Sequence, residues 1–302
     1  MTKGFITVAT GKEDYYKLAR NLLHSYRFFS TSPLPFAILA DRENEYTSEF
    51  DDVLLFMDGA DYSYLDKLEL GKYLPYDVTI FIDADCLAYG DLNSLFHYFD
   101  TADDFSCFGR VLPLDDKTGW FEYDNLGKLK DNVSYVVGLH GGIYYMRKSE
   151  TCRLIFSTAK ELVKDYKQFR FKGKFDTPGD EPLIALSMAL NNCRPVPFIR
   201  EAICCYWEYE KCMDIDISEG RAEILSDPKG KTILVHWGTR FTRGLLYQKQ
   251  IALLDILVEN EDNQYELVKK CKQKFERLMA AERRTIFMSR VKNKILRMIG
   301  MK

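Results

Sequence analysis

Asp83 and Asp85 are the residues of this chain whose type and spacing most plainly serve chemistry. They follow Val78-Thr79-Ile80-Phe81-Ile82, a run of β-branched and aromatic residues that reads as a central strand buried on both faces. Side chains two apart on a strand project to one side, so the pair aims two carboxylates at one point. That point falls at the carboxyl end of the strand, where open α/β sheets bind their ligands. Adjacent carboxylates repel each other, and a hard divalent cation bridging to phosphate oxygens relieves them. Taken alone, the pair equally suits a polar strand end with Asp91 capping the next helix.

The elements that must position this pair alternate along the chain. The patterning predicts strands over 5–10, 36–40, 53–57 and 78–82, with helices over 15–29, 65–74 and 92–99 between and after them. Such alternation marks an α/β fold with a mostly parallel sheet wrapped by helices. A strand is expected over 103–110, then a polar, turn-rich stretch over 112–134 of the kind that forms active-site loops. Residues 140–146 read as a loop running into a strand, and 150–169 as a helix introduced by Ser149. A further helix spans 179–191, a last strand spans 231–236 and ends in His236-Trp237-Gly238, and the pattern is helical from Leu245 onward.

Composition bounds the class. With 302 residues and 46% hydrophobic content, the chain can bury one large core, or a main domain with an appendage. No apolar stretch approaches the roughly 20 residues that span a bilayer. The start, Met1-Thr2-Lys3-Gly4, leads into a strand without signal-peptide design. Eight Cys, including the adjacent Cys204 and Cys205, lack metal-ligand spacing and read as reduced thiols of a cytosolic protein. The formal net charge is −3; seven Lys/Arg and no acid lie over 283–302, which leaves the preceding chain at −10. An acidic body argues against general nucleic-acid binding. The basic tail, with Phe287, Met288, Val291, Ile295, Met298 and Ile299 on one arc, predicts an amphipathic helix lying on an anionic membrane, or packed on its own acidic domain or on a partner.

An ordered set of motifs resembles the family-8 glycosyltransferases, which have the GT-A fold. Val8-Ala9-Thr10 with Tyr15 looks like the family's first strand and nucleotide-facing loop, and residues 67–74 like the helix before its metal motif. Ile82-Asp83-Ala84-Asp85 looks like its Asp-x-Asp, Leu139-His140-Gly141-Gly142-Ile143 like its sugar-recognition segment, and Gly179-Asp180-Glu181 like its Asp-Gln step. His236-Trp237-Gly238 matches the late histidine turn. The resemblance implies a Rossmann-like GT-A domain over 1–245 and a helical extension over 246–302. It implies transfer of a hexose from a UDP-sugar to a glycan or lipid-linked acceptor, as in bacterial-type surface polysaccharide assembly, by an enzyme that is cytoplasmic or peripheral on the inner membrane face.

The same resemblance implies roles for residues. Asp83, Asp85 and His236 would hold Mn²⁺ or Mg²⁺, which accepts a mixed carboxylate and imidazole shell. Ala9, Thr10, Gly11 and Tyr15 would meet the uridine, although Tyr15 equally suits a core position at a helix start. Lys67 would lie near sugar and phosphate, or on a solvated helix face. His140 and Gly142 would meet the sugar, and Gly238 with Arg240 or Arg243 the diphosphate, although either arginine equally suits the surface. Asp180 and Glu181 would act at the reacting sugar, Glu181 as nucleophile or as stabiliser of an oxocarbenium-like centre. Glu181 also suits a helix-start acid favoured by the macrodipole.

Three features depart from the family pattern. His140 replaces an Asn, Glu181 a Gln, and the late turn is shortened to His-x-Gly. Leu87 stands where a haloacid-dehalogenase-type phosphatase would need Thr or Val, which disfavours that chemistry. A GT-A-like module that binds nucleotide-sugar without turnover is the reading outside enzymes.

Overall fold

The computed structural model describes residues 1–171, 178–227, 230–259 and 263–298, with side chains as far as Ser289. The first half lays down β1 (Lys3–Ala9), α1 (Glu13–Phe29), β2 (Phe36–Ala40), β3 (Asp52–Leu55), β4 (Val78–Ile82), β5 (Cys86–Ala88) and β6 (Phe105–Leu112). Then come β7 (Val136–Arg147), α2 (Glu150–Leu162), α3 (Asp180–Leu190), β8 (Val196–Pro197), β9 (Cys204–Cys205) and α4 (Tyr206–Tyr209). The chain continues through β10 (Met213–Asp216), β11 (Arg221–Ile224), β12 (Leu234–His236), α5 (Leu245–Glu259) and α6 (Gln264–Met298).

Seven strands form the central sheet in the order β3-β2-β1-β4-β7-β6-β8. The four strands on one side run parallel, β7 runs antiparallel to β4 and β6, and β8 is parallel to β6. A mostly parallel sheet needs cover on both faces. β4 shows why it obtains it: all five residues are buried, with Val78, Ile80 and Ile82 in one hydrophobic cluster and Phe81 in the other. The first cluster is covered by α1 through Leu22 and Tyr26, the second by α2 and α3 through Ile155 and Leu186.

Local capping chemistry sets several boundaries. The Asp91 carboxylate accepts from the Asn93 amide at the start of the 3-10 segment Leu92–Phe99, and the Ser149 hydroxyl accepts from the Cys152 amide at α2. The helices expected over 65–74 and 92–99 are 3-10 segments, Tyr64–Lys72 and Leu92–Phe99. Three expectations are corrected. The polar stretch over 112–134 contains a 3-10 segment, Tyr123–Asn132. β7 runs without a break from Val136 to Arg147, so His140 and Gly141 lie in a strand rather than a loop. Asp83 and Asp85 lie in a turn between β4 and β5, closed by the Cys86 amide donating to the Asp83 carbonyl at 3.0 Å.

A second sheet, β5-β12-β9, stands beside this turn, with β12 antiparallel to β5 and parallel to β9. α5 sends Tyr247, Leu253 and Leu254 into the same cluster as Phe5 and Ile80. α6 follows it, 35 residues long.

Candidate active site

The turn that carries Asp83 and Asp85 is held from two directions. The Asp83 amide donates to the Gly142 carbonyl on β7 at 3.0 Å, and the Trp237 amide donates to the Asp85 carbonyl at 3.1 Å. β12 thereby delivers His236 to the carboxylates, its Nε2 lying 3.0 Å from Asp85 Oδ1 and 3.8 Å from Asp83 Oδ2. Asp85 Oδ1 is buried with no hydrogen-bond partner, as is His236 Nδ1, the other nitrogen of the ring. Thr239, just past the Gly238 turn, donates its hydroxyl to Asp85 Oδ2 at 3.2 Å.

Lys67 completes this charge cluster. Its ammonium lies 2.8 Å from Asp83 Oδ1 and 3.4 Å from Asp180 Oδ2, so it faces the site and not solvent. Burial opposes its charge, but Asp180 and Asp83 more than offset this and hold it above the usual lysine range. Burial pushes the Asp83 carboxyl up against the pull of Lys67. For His236, burial opposes the charge while Asp85 favours it and prevails. Asp85 in turn is disfavoured by burial and held below its ordinary value by His236.

Asp180 and Glu181 open α3, with the Tyr144 hydroxyl donating to Asp180 Oδ2 at 2.9 Å and the Gly141 amide to Glu181 Oε1 at 2.7 Å. Burial, reinforced by Asp180, raises Glu181 to about 7. His140 accepts at Nδ1 from the Gly142 amide at 3.1 Å, and its Nε2 lies 2.9 Å from Cys205 Sγ. Burial, with His236 and Lys67 nearby, lowers His140 to about 3, so its ring is neutral.

These groups line one cleft of about 420 Å³, which Thr10, Tyr15, Tyr62 and Tyr64 extend toward the end of β1. Thr10 donates to Asp66 Oδ2 at 2.6 Å, and Asp66 Oδ1 accepts from the Asp61 amide at 2.7 Å, which ties the Tyr62 loop to β1. Gly11, at φ +74°, donates its amide to Asp41 at 3.1 Å and has the Tyr62 ring against it. Ala9 is buried beneath in the core. Tyr15 is 39% exposed and faces the cleft, which removes the core alternative.

Gly238, at φ +71°, turns the chain under Trp207, whose ring also meets His236 edge-on with centroids 4.9 Å apart. Arg240 and Arg243 do not line this cleft, although Arg243 lines a neighbouring groove that shares Tyr15 and Thr239 with it. Arg240 lies over its neighbour Phe241, and Arg243 is exposed, 3.8 Å from Asp14. The ammonium in the site is that of Lys67. Trp207, Thr239, Tyr62 and Tyr64 line the cleft without having carried a sequence signal, since none belongs to a periodic pattern.

No protein-family model and no curated protein sequence matches the chain. Solved structures do. The galactosyltransferase LgtC, in complex with donor and acceptor sugar analogs, is 13% identical with a TM-score of 0.51, over 87% of this chain and 99% of that one. The apo glycosyltransferase GlyE of Streptococcus pneumoniae TIGR4 is 9% identical with a TM-score of 0.52, over 91% of this chain and 64% of that one. The chain has the GT-A glycosyltransferase fold.

On that GT-A frame the carboxylate turn stands at the carboxyl end of β4, and the donor set suits a divalent cation. Two carboxylates and an imidazole converge, and Asp85 Oδ1 among them is buried without a hydrogen-bond partner.

Proposed function

We propose that this protein is a divalent-metal-dependent glycosyltransferase that moves a hexose from a UDP-sugar to a glycan or lipid-linked acceptor in surface polysaccharide assembly. The observation that carries this reading is the convergence of Asp83, Asp85, His236, Lys67, Asp180 and Glu181 in one cleft. LgtC, whose fold this chain shares over 87% of its length, is described with donor and acceptor sugar analogs.

Asp83, Asp85 and His236 would hold Mn²⁺ or Mg²⁺, which when bound neutralises the developing charge of the nucleotide leaving group. The chain's own residues do the rest. Lys67 balances the buried carboxylates and places a second positive charge beside the donor phosphates. Thr10 and Tyr15 form the nucleoside end, with Gly11 behind Tyr62 and Tyr15 offering a ring face. The Gly141 amide fixes one oxygen of Glu181 and thereby orients the carboxyl group in the cleft. Ionised, Glu181 stabilises positive charge at the reacting carbon or attacks it; Tyr144 holds Asp180 beside it for sugar hydroxyls.

The test is Mn²⁺-dependent release of UDP from a panel of UDP-sugars. Asp83→Ala or Asp85→Ala should abolish release with little change in folding, and His236→Ala should weaken it less completely. Near wild-type turnover in either carboxylate variant would sink the site. UDP-sugar binding without release in the wild type would favour the inactive nucleotide-sugar-binding module.

A further inference from the structure

His236 also lies within reach of two thiols and a second imidazole: Cys86 groups with Asp85, and Cys205 with His140. Its register partners are Cys86 on β5 and Cys205 on β9, so a thiol stands on each side of the imidazole. His140 faces it from β7, with ring centroids 5.3 Å apart and Nε2 lying 2.9 Å from Cys205 Sγ. Both rings converge on Gly142, where an added Cβ would lie 2.7 Å from His140 Cε1 and 2.9 Å from His236 Nδ1. His236 thus turns Nε2 to the carboxylates and Nδ1, buried and unpartnered, toward His140. His140, Cys205 and His236 each offer a ligand atom, all within 4.8 Å of one another.

We propose that His140, Cys205 and His236 form a site for a soft divalent cation of the Zn²⁺ class, distinct from the oxygen-rich position between Asp83 and Asp85, and that filling it shuts the cleft by taking His236. Two imidazoles and a thiolate suit Zn²⁺, whereas carboxylates suit Mn²⁺ and Mg²⁺. His140 and His236 line the cleft, so a cation enters through it and a water can complete four-coordination. Binding releases to solvent the Cys205 thiol proton and the Nδ1 proton of imidazolium His236; the proton left on His236 Nε2 then bars that nitrogen from a cation at the carboxylates. Binding also moves the His140 ring proton from Nε2 to Nδ1, which gives up the bond from the Gly142 amide. Because binding expels protons, it strengthens as pH rises. The inhibitory half of the proposal rests on the function proposed above; the binding half does not.

The experiment titrates the full chain with Co²⁺, a spectroscopic stand-in for Zn²⁺, and reads the thiolate-to-cobalt charge-transfer band. The wild type should give the band and lose it when Zn²⁺ is added. Cys205→Ser and Cys205→Ala should both lose it, while Cys86→Ser and Asp83→Ala, with folding checked by circular dichroism, should keep it. No band in the wild type, survival in both Cys205 variants, or loss in folded Cys86→Ser would overturn the site. In parallel, Zn²⁺ should inhibit Mn²⁺-dependent UDP release, and less so in Cys205→Ser. Turnover indifferent to Zn²⁺ would remove the inhibitory half, and absence of turnover from every sugar would count against the catalytic reading while the cobalt band still decides the site.

Discussion

Glu181 is a carboxyl group kept where its charge is least welcome. It sits beside buried Asp180 with one bond from the Gly141 amide, and its pKa stands at about 7 against an ordinary 4.5. The folded state therefore binds a proton that the unfolded chain has already lost between those values. Stability contributed by the protonated form is complete below about pH 4.5 and is lost as pH rises through about 7. Glu181→Gln keeps the shape and removes the titration. In metal-free protein the variant should gain on the wild type as pH rises from 5 to 8, approaching on the order of 2–3 kcal/mol. Thermal unfolding across that range checks it, and parallel pH profiles for the two proteins would show the carboxyl to be unperturbed. The same charge, once formed, is what the proposed chemistry needs, so the site keeps a local cost for a functional reason.

At the scale of elements, the segment that matters most is the 3-10 stretch Tyr64–Lys72, because it carries Lys67 to the carboxylates. Gly71 lets this segment pack closely on α2: a Cβ there would lie 2.8 Å from Phe156 Cδ2 and 2.9 Å from its Cβ. Phe156 is buried against Phe105 and has little room to give. Gly71→Ala should destabilise by about 1–3 kcal/mol. Because the segment must shift, it should also weaken Mn²⁺-dependent turnover although Gly71 is not among the residues lining the cleft. Denaturant unfolding together with UDP release tests both, and unchanged values in both would show that α2 accommodates the methyl group freely.

Across the whole molecule, charge and apolar exposure are gathered at one end. α6 exposes Ile286, Phe287 and Met288 beside Arg283 and Arg284. Of the predicted arc, the side chains of Val291, Ile295 and Met298, and Ile299 entirely, lie outside the described residues. Among the described residues no helix is long and apolar enough to cross a membrane. A basic amphipathic helix instead lies in the interface plane, held by anionic headgroups and apolar burial. The full chain should sediment with anionic vesicles and release in high salt, while a chain truncated after Ala281 should not bind. Equal sedimentation of the two would return the tail to packing on its own domain or a partner.

Much of this was legible locally. The bounds of β2 and β4 follow from unbroken apolar runs, and the caps at Asp91 and Ser149 follow from a side chain reaching an amide two or three residues on. Such features depend on near neighbours, which the sequence lists in order. The metal-type donors were legible as residue types, but not the way they meet. Strand alternation would have joined Asp83 and Asp85; in fact a turn pinned by Gly142 and Trp237 presents them. His236 reaches them because β12 pairs with β5, and Cys205 reaches His236 because β9 pairs with β12. Lys67 was indistinguishable from a solvated lysine until the 3-10 segment carried it to Asp83 and Asp180. Contacts of this kind are set by register between strands far apart in the chain. A one-residue slip would redirect every side chain, so only the tertiary structure decides them.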